Sequence, residues 1–304
     1  MDETLVRHQA QRDAQAAAEL VTMAEIQKSL RRPRTLFSFL MNALTTGLTL
    51  LAMAPLFSVV YMLLARGISR LSWAALTTLP PQMGDEGGGF GNAILGTLIL
   101  VAVATAVSVP FGIMGAVYLA EVGPRTRLAQ WVRVGAKILT GFPSVLAGVL
   151  LYGLLVVRYG YSHWAGGAAL AILMIPTIML TAEEAIRMVP ARIREAAIGM
   201  GATSAQTILR VMLPTALPGI LTGVMLAIAR AAGETAPLLV TTFFAADHWP
   251  SMTRTPSLAV LIYRFSGSAD DNQQSLAWAA AMTLVVIVLA INLIGQAFSR
   301  RAID

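Results

Sequence analysis

"VPARIREAAIGMGATSAQTILRVMLPTALPGI", Val189 to Ile220, has a polar first half set between apolar stretches, and it reads as helix, turn, helix. Pro190 suits the start of a helix. Arg192, Arg194 and Glu195 keep that helix wet, while Ile193, Ala197 and Ile198 give it a small apolar face. Gly201 can take positive φ and end it. Thr203 followed by Gln206 has the spacing of a capping box, which starts a second helix. Pro214 and Pro218 then open an apolar run. A short helix standing clear of a membrane can plug into a partner's groove.

On both sides of this hairpin the chain loses its charges. Runs without Asp, Glu, Lys or Arg occupy 35–64, 87–120, 138–157, 159–182, 211–229 and 272–299. The fifth resumes past Arg230 and Glu234 and reaches Phe244. A bilayer core about 30 Å thick needs roughly 20 apolar residues as helix. Only helices or closed barrels satisfy the backbone in lipid, and unbroken apolar runs of this length are not the alternating pattern of a barrel. The reading is an all-α integral membrane protein with six transmembrane helices, at 36–64, 92–120, 136–157, 165–186, 215–243 and 274–298. A single membrane domain then fills 35–300, with the polar loop at 190–214. Pro110, Pro143, Pro176 and Pro237 fall inside these spans and are expected to bend them.

Composition agrees. Of 304 residues, 56% are hydrophobic and 12% charged, against about 25% charged in a soluble domain. There is no cysteine, hence no disulfide framework and no thiolate metal site. His8, His163 and His248 are too scattered to suggest a metal centre. The two lysines, Lys28 and Lys137, do not follow glycine, so the chain has no phosphate-binding loop of the G-x4-G-K-[ST] type. If ATP drives this protein, another chain binds it. Residues 1–34 lack a cleavable leader pattern and read as a helical arm.

The net charge of +6 is a topology signal rather than a nucleic-acid signal. One side of the membrane collects Lys28, Arg31, Arg32, Arg34, Arg125, Arg127, Arg133, Lys137, Arg187, Arg192, Arg194, Arg210, Arg300 and Arg301. The other has only Arg66, Arg70, Arg158, Arg254 and Arg264. Positive residues mark the cytoplasmic side, so both termini, the 1–34 arm and the 190–214 loop are expected there.

Arg230 and Glu234 interrupt the fifth span. Arg230 lies 16 residues past Pro214, or roughly 24 Å of helix. Charge at that depth is costly and marks function by default. Two readings stay open: a self-neutralising i,i+4 pair of structural role, and a gate for an anion. Guanidinium offers a planar fork that matches oxyanions and stays charged when buried. Thr235 can add a hydroxyl donor or bond back to a helix carbonyl. Glu183 and Glu184 read as surface groups at the end of the fourth span, with Glu183 paired to Arg187. "PPQMGDEGGGFG", Pro80 to Gly91, reads as a solvated loop on the opposite side.

The hairpin carries a family resemblance. Glu195-Ala196-Ala197, three residues, Gly201, nine residues, Val211, one residue, Leu213-Pro214 resembles the EAA motif of ABC importer permeases. The stretches Gly89–Val101, Val109–Gly123 ("VPFGIMGAVYLAEVG"), Gly141–Gly148 ("GFPSVLAG") and Ala216–Leu239 ("ALPGILTGVMLAIARAAGETAPLL") are similar to the PstA-type permease subunits of phosphate ABC importers, over about residues 88–300. The resemblance implies the type I (MetI-like) importer permease fold, a multi-pass place in the bacterial inner membrane, and no catalytic residue. It makes Glu195, Ala196, Ala197, Gly201, Leu213 and Pro214 the contact to an ATPase. It implies a pathway between two similar permeases, so that a matching Arg and Glu from the partner would complete a gate built on Arg230, Glu234 and Thr235. The partners it implies are a second, PstC-type permease, two PstB-type ATPase subunits holding ATP and Mg2+, and a PstS-type extracytoplasmic phosphate-binding protein, for which Pro80–Gly91 offers a docking surface. Two rival readings are a permease for another oxyanion or solute, and an ion-coupled secondary transporter, which broken helices and a buried Arg–Glu pair also suit.

Overall fold

The computed structural model describes residues 33–301, and the expected arm at 1–34 lies almost wholly outside them. All regular elements among the described residues are helices: α1 Leu36–Arg70, α2 Trp73–Thr77, α3 Gly91–Val122, α4 Arg127–Thr140, α5 Ser144–Tyr159, α6 His163–Arg187, α7 Ala191–Gly199, α8 Ser204–Ala232, α9 Ala236–Thr241, α10 Leu258–Ser266 and α11 Asp271–Arg301. Five of them, α1, α3, α6, α8 and α11, are long and apolar enough to cross a membrane. The α4–α5 pair makes a sixth crossing if its bent halves count as one.

The chain falls into two compact units, residues 1–61 and 62–304. In the first, α1 runs unbroken through Pro55. Its Thr45 and Thr49 hydroxyls bond back to the carbonyls of Met41 and Thr45, so neither is left unsatisfied in an apolar setting. In the second unit, α3, α6 and α8 form the core. Leu100, Leu170, Met174, Ile178 and Val224 are buried where the three meet, with Leu238 of α9 beside them. A smaller cluster joins Phe90, Leu258, Leu261, Phe265 and Leu276 at the start of α3, α10 and the start of α11. In lipid the hydrophobic effect does not press helices together, so close packing has to. Gly223 of α8 shows how close: a Cβ there would stand 2.0 Å from Thr181 Oγ1 on α6.

The four prolines divide into two kinds. Pro110 and Pro176 lie inside uninterrupted helices, α3 and α6. Pro143 and Pro237 stand at breaks. The expected third span at 136–157 is therefore not one helix: α4 and α5 meet at 104° across Gly141, Phe142 and Pro143. Gly141 ends α4 with ψ near 0°, and Pro143 itself leaves the helical region at ψ 121°. Residues 136–140 finish α4, whose Leu128, Trp131 and Ile138 recur at helical spacing and lie exposed. The expected fifth span at 215–243 is also divided. Its helix begins earlier, at Ser204, and stops at Ala232, with α9 following after a gap.

Val in place of Gly223 should therefore be overpacked by about 1–3 kcal/mol. Thermal unfolding in detergent should show it, whereas Gly135→Ala, whose new Cβ meets nothing within 4 Å, should be neutral or slightly stabilising. Equal melting of Gly223→Val and the parent would refute the tight crossing.

Candidate functional site

Arg230 occupies the last turn of α8, and Glu234 lies just beyond its end. The helix closes at Gly233, whose amide bonds to Arg230 O, while the Glu234 amide bonds to Ala231 O. The pair is thus i,i+4 in sequence but spans a helix terminus, not a continuous helical face. Arg230 Nε is 3.4 Å from Glu234 Oε1, a loose contact. The arginine side chain is 55% exposed and the glutamate 17%. Both line a narrow crevice between α6 and α8 with Leu170, Met174, Thr177 and Ala227. The carbonyl end of α8 favours the guanidinium. Thr235 stands at the head of α9 and makes no side-chain cap bond. Non-helical backbone at membrane depth is tolerated where it is packed in protein or faces water. A half-exposed guanidinium with one loosely held carboxylate is a group an incoming oxyanion can engage.

The hairpin is built as its residues dictate. Gly201 takes φ +86°, with open space around its Cα. Its amide bonds to Ile198 O and that of Ala202 to Ala197 O, the two bonds of a Schellman motif. Thr203 and Gln206 form the capping box in both directions, at 2.9 and 3.3 Å. α7 buries no residue fully; Glu195 and Ala196 are exposed, Ala197 is half-buried, and Ile198 and Met200 stand in the open. Leu213 packs on the core, whereas Pro214 is exposed. The ring of Pro214 meets the carbonyl four residues earlier. A π turn at Ile208–Met212 absorbs it, with the Leu213 amide reaching back five residues to Ile208 O.

Glu183 differs from its sequence reading. It is no surface group: its side chain is 7% exposed and holds two arginines on one oxygen. Arg133 Nη2 of α4 approaches Oε1 at 2.6 Å and Arg187 Nη2 at 2.8 Å. Both guanidiniums also reach Leu119 O, in the last turn of α3, where carbonyls have run out of amide partners. Two residues on, Glu121 pairs with Arg194 of α7 at 3.1 Å. Removing one member of such a buried pair costs about 3–5 kcal/mol. The Glu183–Arg187 spacing is visible in sequence, but Arg133 lies fifty positions away and nothing local points to it. Glu184, by contrast, is exposed as read.

At the opposite end, Pro80–Gly91 is pinned to the start of α11. Asp270 accepts the Gly84 amide at 2.8 Å, Asn272 donates to Asp85 O and Gly87 O, and Gln273 donates to Pro81 O. Fully buried Asn92 donates to the carbonyls of Ala245, Ala246 and His248, fixing the segment after α9 to α3. Its signal in sequence is faint: one amide at the head of an apolar run.

An all-helical bundle with broken crossings and an exposed helical hairpin at its basic end is the architecture of a polytopic membrane transport subunit. The chain belongs to the binding-protein-dependent transport system inner membrane component family, whose pattern it matches over residues 108–304. It is 37% identical over 241 residues to the phosphate transport system permease protein PstA of Yersinia pestis, covering 78% of this chain and 81% of that one. It is 34% identical over 259 residues to the probable phosphate transport system permease protein PstA of Methanocaldococcus jannaschii, covering 84% and 90%. Its fold matches a chain of a bacterial alginate ABC transporter with a TM-score of 0.64 at 17% identity, over 90% of this chain and 98% of that one. It also matches a chain of the inward-facing MetNI methionine ABC transporter with a TM-score of 0.56 at 20% identity, over 70% and 93%.

The pinned loop gives a pH dependence. The Gly84 amide, followed by those of Asn272 and Gln273, holds the Asp270 carboxyl below the usual carboxylate range. A depressed carboxyl contributes fully above its unfolded value, about 3.9, and the contribution is lost as pH falls through the lower folded value. A spin label at Met83→Cys, in a chain without other cysteines, should gain mobility only in that acid range. With Asp270→Ala it should be mobile already at neutral pH. A label indifferent to both changes would contradict the docking.

Proposed function

We propose that this chain forms half of the pathway by which inorganic phosphate enters the cell through an ATP-driven importer. The observation that carries the reading is the Arg230–Glu234 pair, left loosely joined at a helix break beside the Thr177 crevice. Relatives named as phosphate permeases, 34% and 37% identical over most of the chain, support the choice of substrate.

Arg230 takes the anion through charge-assisted hydrogen bonds. Glu234 holds the guanidinium between transport events and releases it when phosphate arrives. It also accepts a hydrogen bond from a protonated phosphate oxygen, which sulfate at neutral pH lacks. Thr235 adds a hydroxyl at the same break. A second, PstC-type permease brings the other half of the pathway.

Energy comes from elsewhere. The exposed Ile198 and Met200 on a wet helix form an apolar tip that docks in a groove of an ATPase. Two PstB-type ATPases hold ATP and Mg2+, and Glu195, Ala196, Ala197 and Gly201 lie at the contact. Leu213 and Pro214 join that contact to the bundle. The arginine-rich end is cytoplasmic, with both termini on that side of the inner membrane. A PstS-type binding protein docks on the opposite face, at Pro80–Gly91.

ATP-dependent uptake by the whole assembly in proteoliposomes, with hydrolysis followed in parallel, tests the pathway. Arg230→Gln should lower phosphate uptake by about 10- to 100-fold, the loss of a hydrogen bond to a charged group. Glu234→Gln should erode the preference for phosphate over sulfate. Unchanged uptake in an intact Arg230→Gln complex would leave the pair a structural salt bridge. Gly201→Trp, strained by about 1–2 kcal/mol at positive φ, should insert and hydrolyse ATP yet import little. Normal coupling in that variant would count against the hairpin assignment.

A further inference from the structure

We infer that Glu121 and Glu183 are positioning residues for energy coupling: with Arg133, Arg187 and Arg194 they clamp the exposed hairpin to the ends of two membrane-crossing helices, so that α3, α6 and α7 move as one body. This rests on the reading of the hairpin as the ATPase contact.

The argument starts from what α7 lacks. It buries no residue fully, and its apolar side chains Ile193 and Ile198 are exposed. Packing on the bundle therefore does little to fix its orientation. Among the described residues its one ion pair is Arg194 Nη2 to Glu121 Oε2 at 3.1 Å. The carboxylate end is the rigid one: the Glu121 side chain is 7% exposed, in the last turn of α3. The carbonyl of Leu119, in the same turn, receives Arg133 and Arg187. Those two arginines converge on Glu183 Oε1 of α6. Beyond the three linking residues of the chain, the side-chain connection from α7 to α6 thus passes through a single turn of α3. Each joint in it is charged on at least one side.

The five side chains divide the work by burial. Glu183 and Arg133 are the enclosed centre, and Glu121 is enclosed with its partner Arg194 half in solvent. The centre joins α3, α4 and α6, whereas Glu121–Arg194 connects this centre to the hairpin. Loss of the centre would loosen the bundle itself. Loss of the outer pair would leave the bundle whole and let the hairpin swing, so that motion imposed on α7 would no longer reach α3 and α6. The outer pair is therefore the place to test.

The experiment compares Glu121→Arg, Arg194→Glu, the double exchange, and Arg194→Ala in the full assembly in proteoliposomes. The readout is phosphate imported per ATP hydrolysed, which a mere change in amount of protein does not move. Each single exchange should lower the ratio by about fivefold or more, the size of an ordinary coupling energy. The double exchange should recover most of it. Single exchanges without effect, or a double exchange no better than the worse single, overturn the inference. Should the Glu121 variant fail to assemble, Arg194→Ala on its exposed helix decides: an unchanged ratio overturns the clamp. Gly201→Trp separates the two levels. If it uncouples while the outer-pair variants do not, the clamp falls and the hairpin assignment stands. If it too couples normally, the hairpin assignment falls with it.

Discussion

Every backbone amide and carbonyl at membrane depth must find a partner within the protein. That requirement makes a helix break expensive, and among the described residues two of the expected spans are broken, at Gly141–Pro143 and at Gly233–Thr235. They are not independent. α5 and α9, which begin after the breaks, pack on each other so closely that a Cβ on Gly148 would lie 2.6 Å from Pro237 Cα. The freed ends are brought into one region of protein, where neighbours can serve them. Arg230 and Glu234 stand on the two sides of the second break, where α8 ends at Gly233.

The two charged clusters make opposite use of the same chemistry. Glu183 is saturated: two guanidiniums at 2.6 and 2.8 Å, with the helix end carbonyl beside them. Breaking it costs several kcal/mol and gains nothing. The Arg230–Glu234 contact is 3.4 Å, with the guanidinium half open. Exposed pairs of that kind contribute about 0–1 kcal/mol, so giving up this contact costs little. One cluster is closed and the other loosely held, and the difference lies in burial and distance, not in residue type.

What could be read from sequence was what depends on near neighbours in the chain. The Thr203–Gln206 box, the positive φ at Gly201 and the charge-free runs that became α3, α6 and α11 are all short-range facts. The prolines show where that ends. Pro110 and Pro143 look alike in sequence, yet the first lies in an unbroken helix and the second at a 104° bend. The local difference is Gly141, two residues before Pro143; the rest depends on which neighbours accept the freed carbonyl. Arg133 and Glu183 are fifty positions apart, so an apparent surface acid became a buried one only when α4 folded across α6. Of the candidate site, the Arg–Glu pair was legible as misplaced charge. Thr177 beside it was one threonine in an apolar run.

The helix from Ser204 to Ala232 has one end at the hairpin and the other at the Arg230 break. Its 29 residues make a rod of about 43 Å. Tilted by about 5° about its hairpin end, such a rod carries the far end through about 4 Å, further than a hydrogen bond can stretch before it fails at about 3.5 Å. Under the proposed function, such a lever turns a small rotation at the hairpin into contact made or lost beside Arg230. The π turn at Ile208–Met212, a few residues from the hairpin end, is where the bonding along that rod widens to five residues.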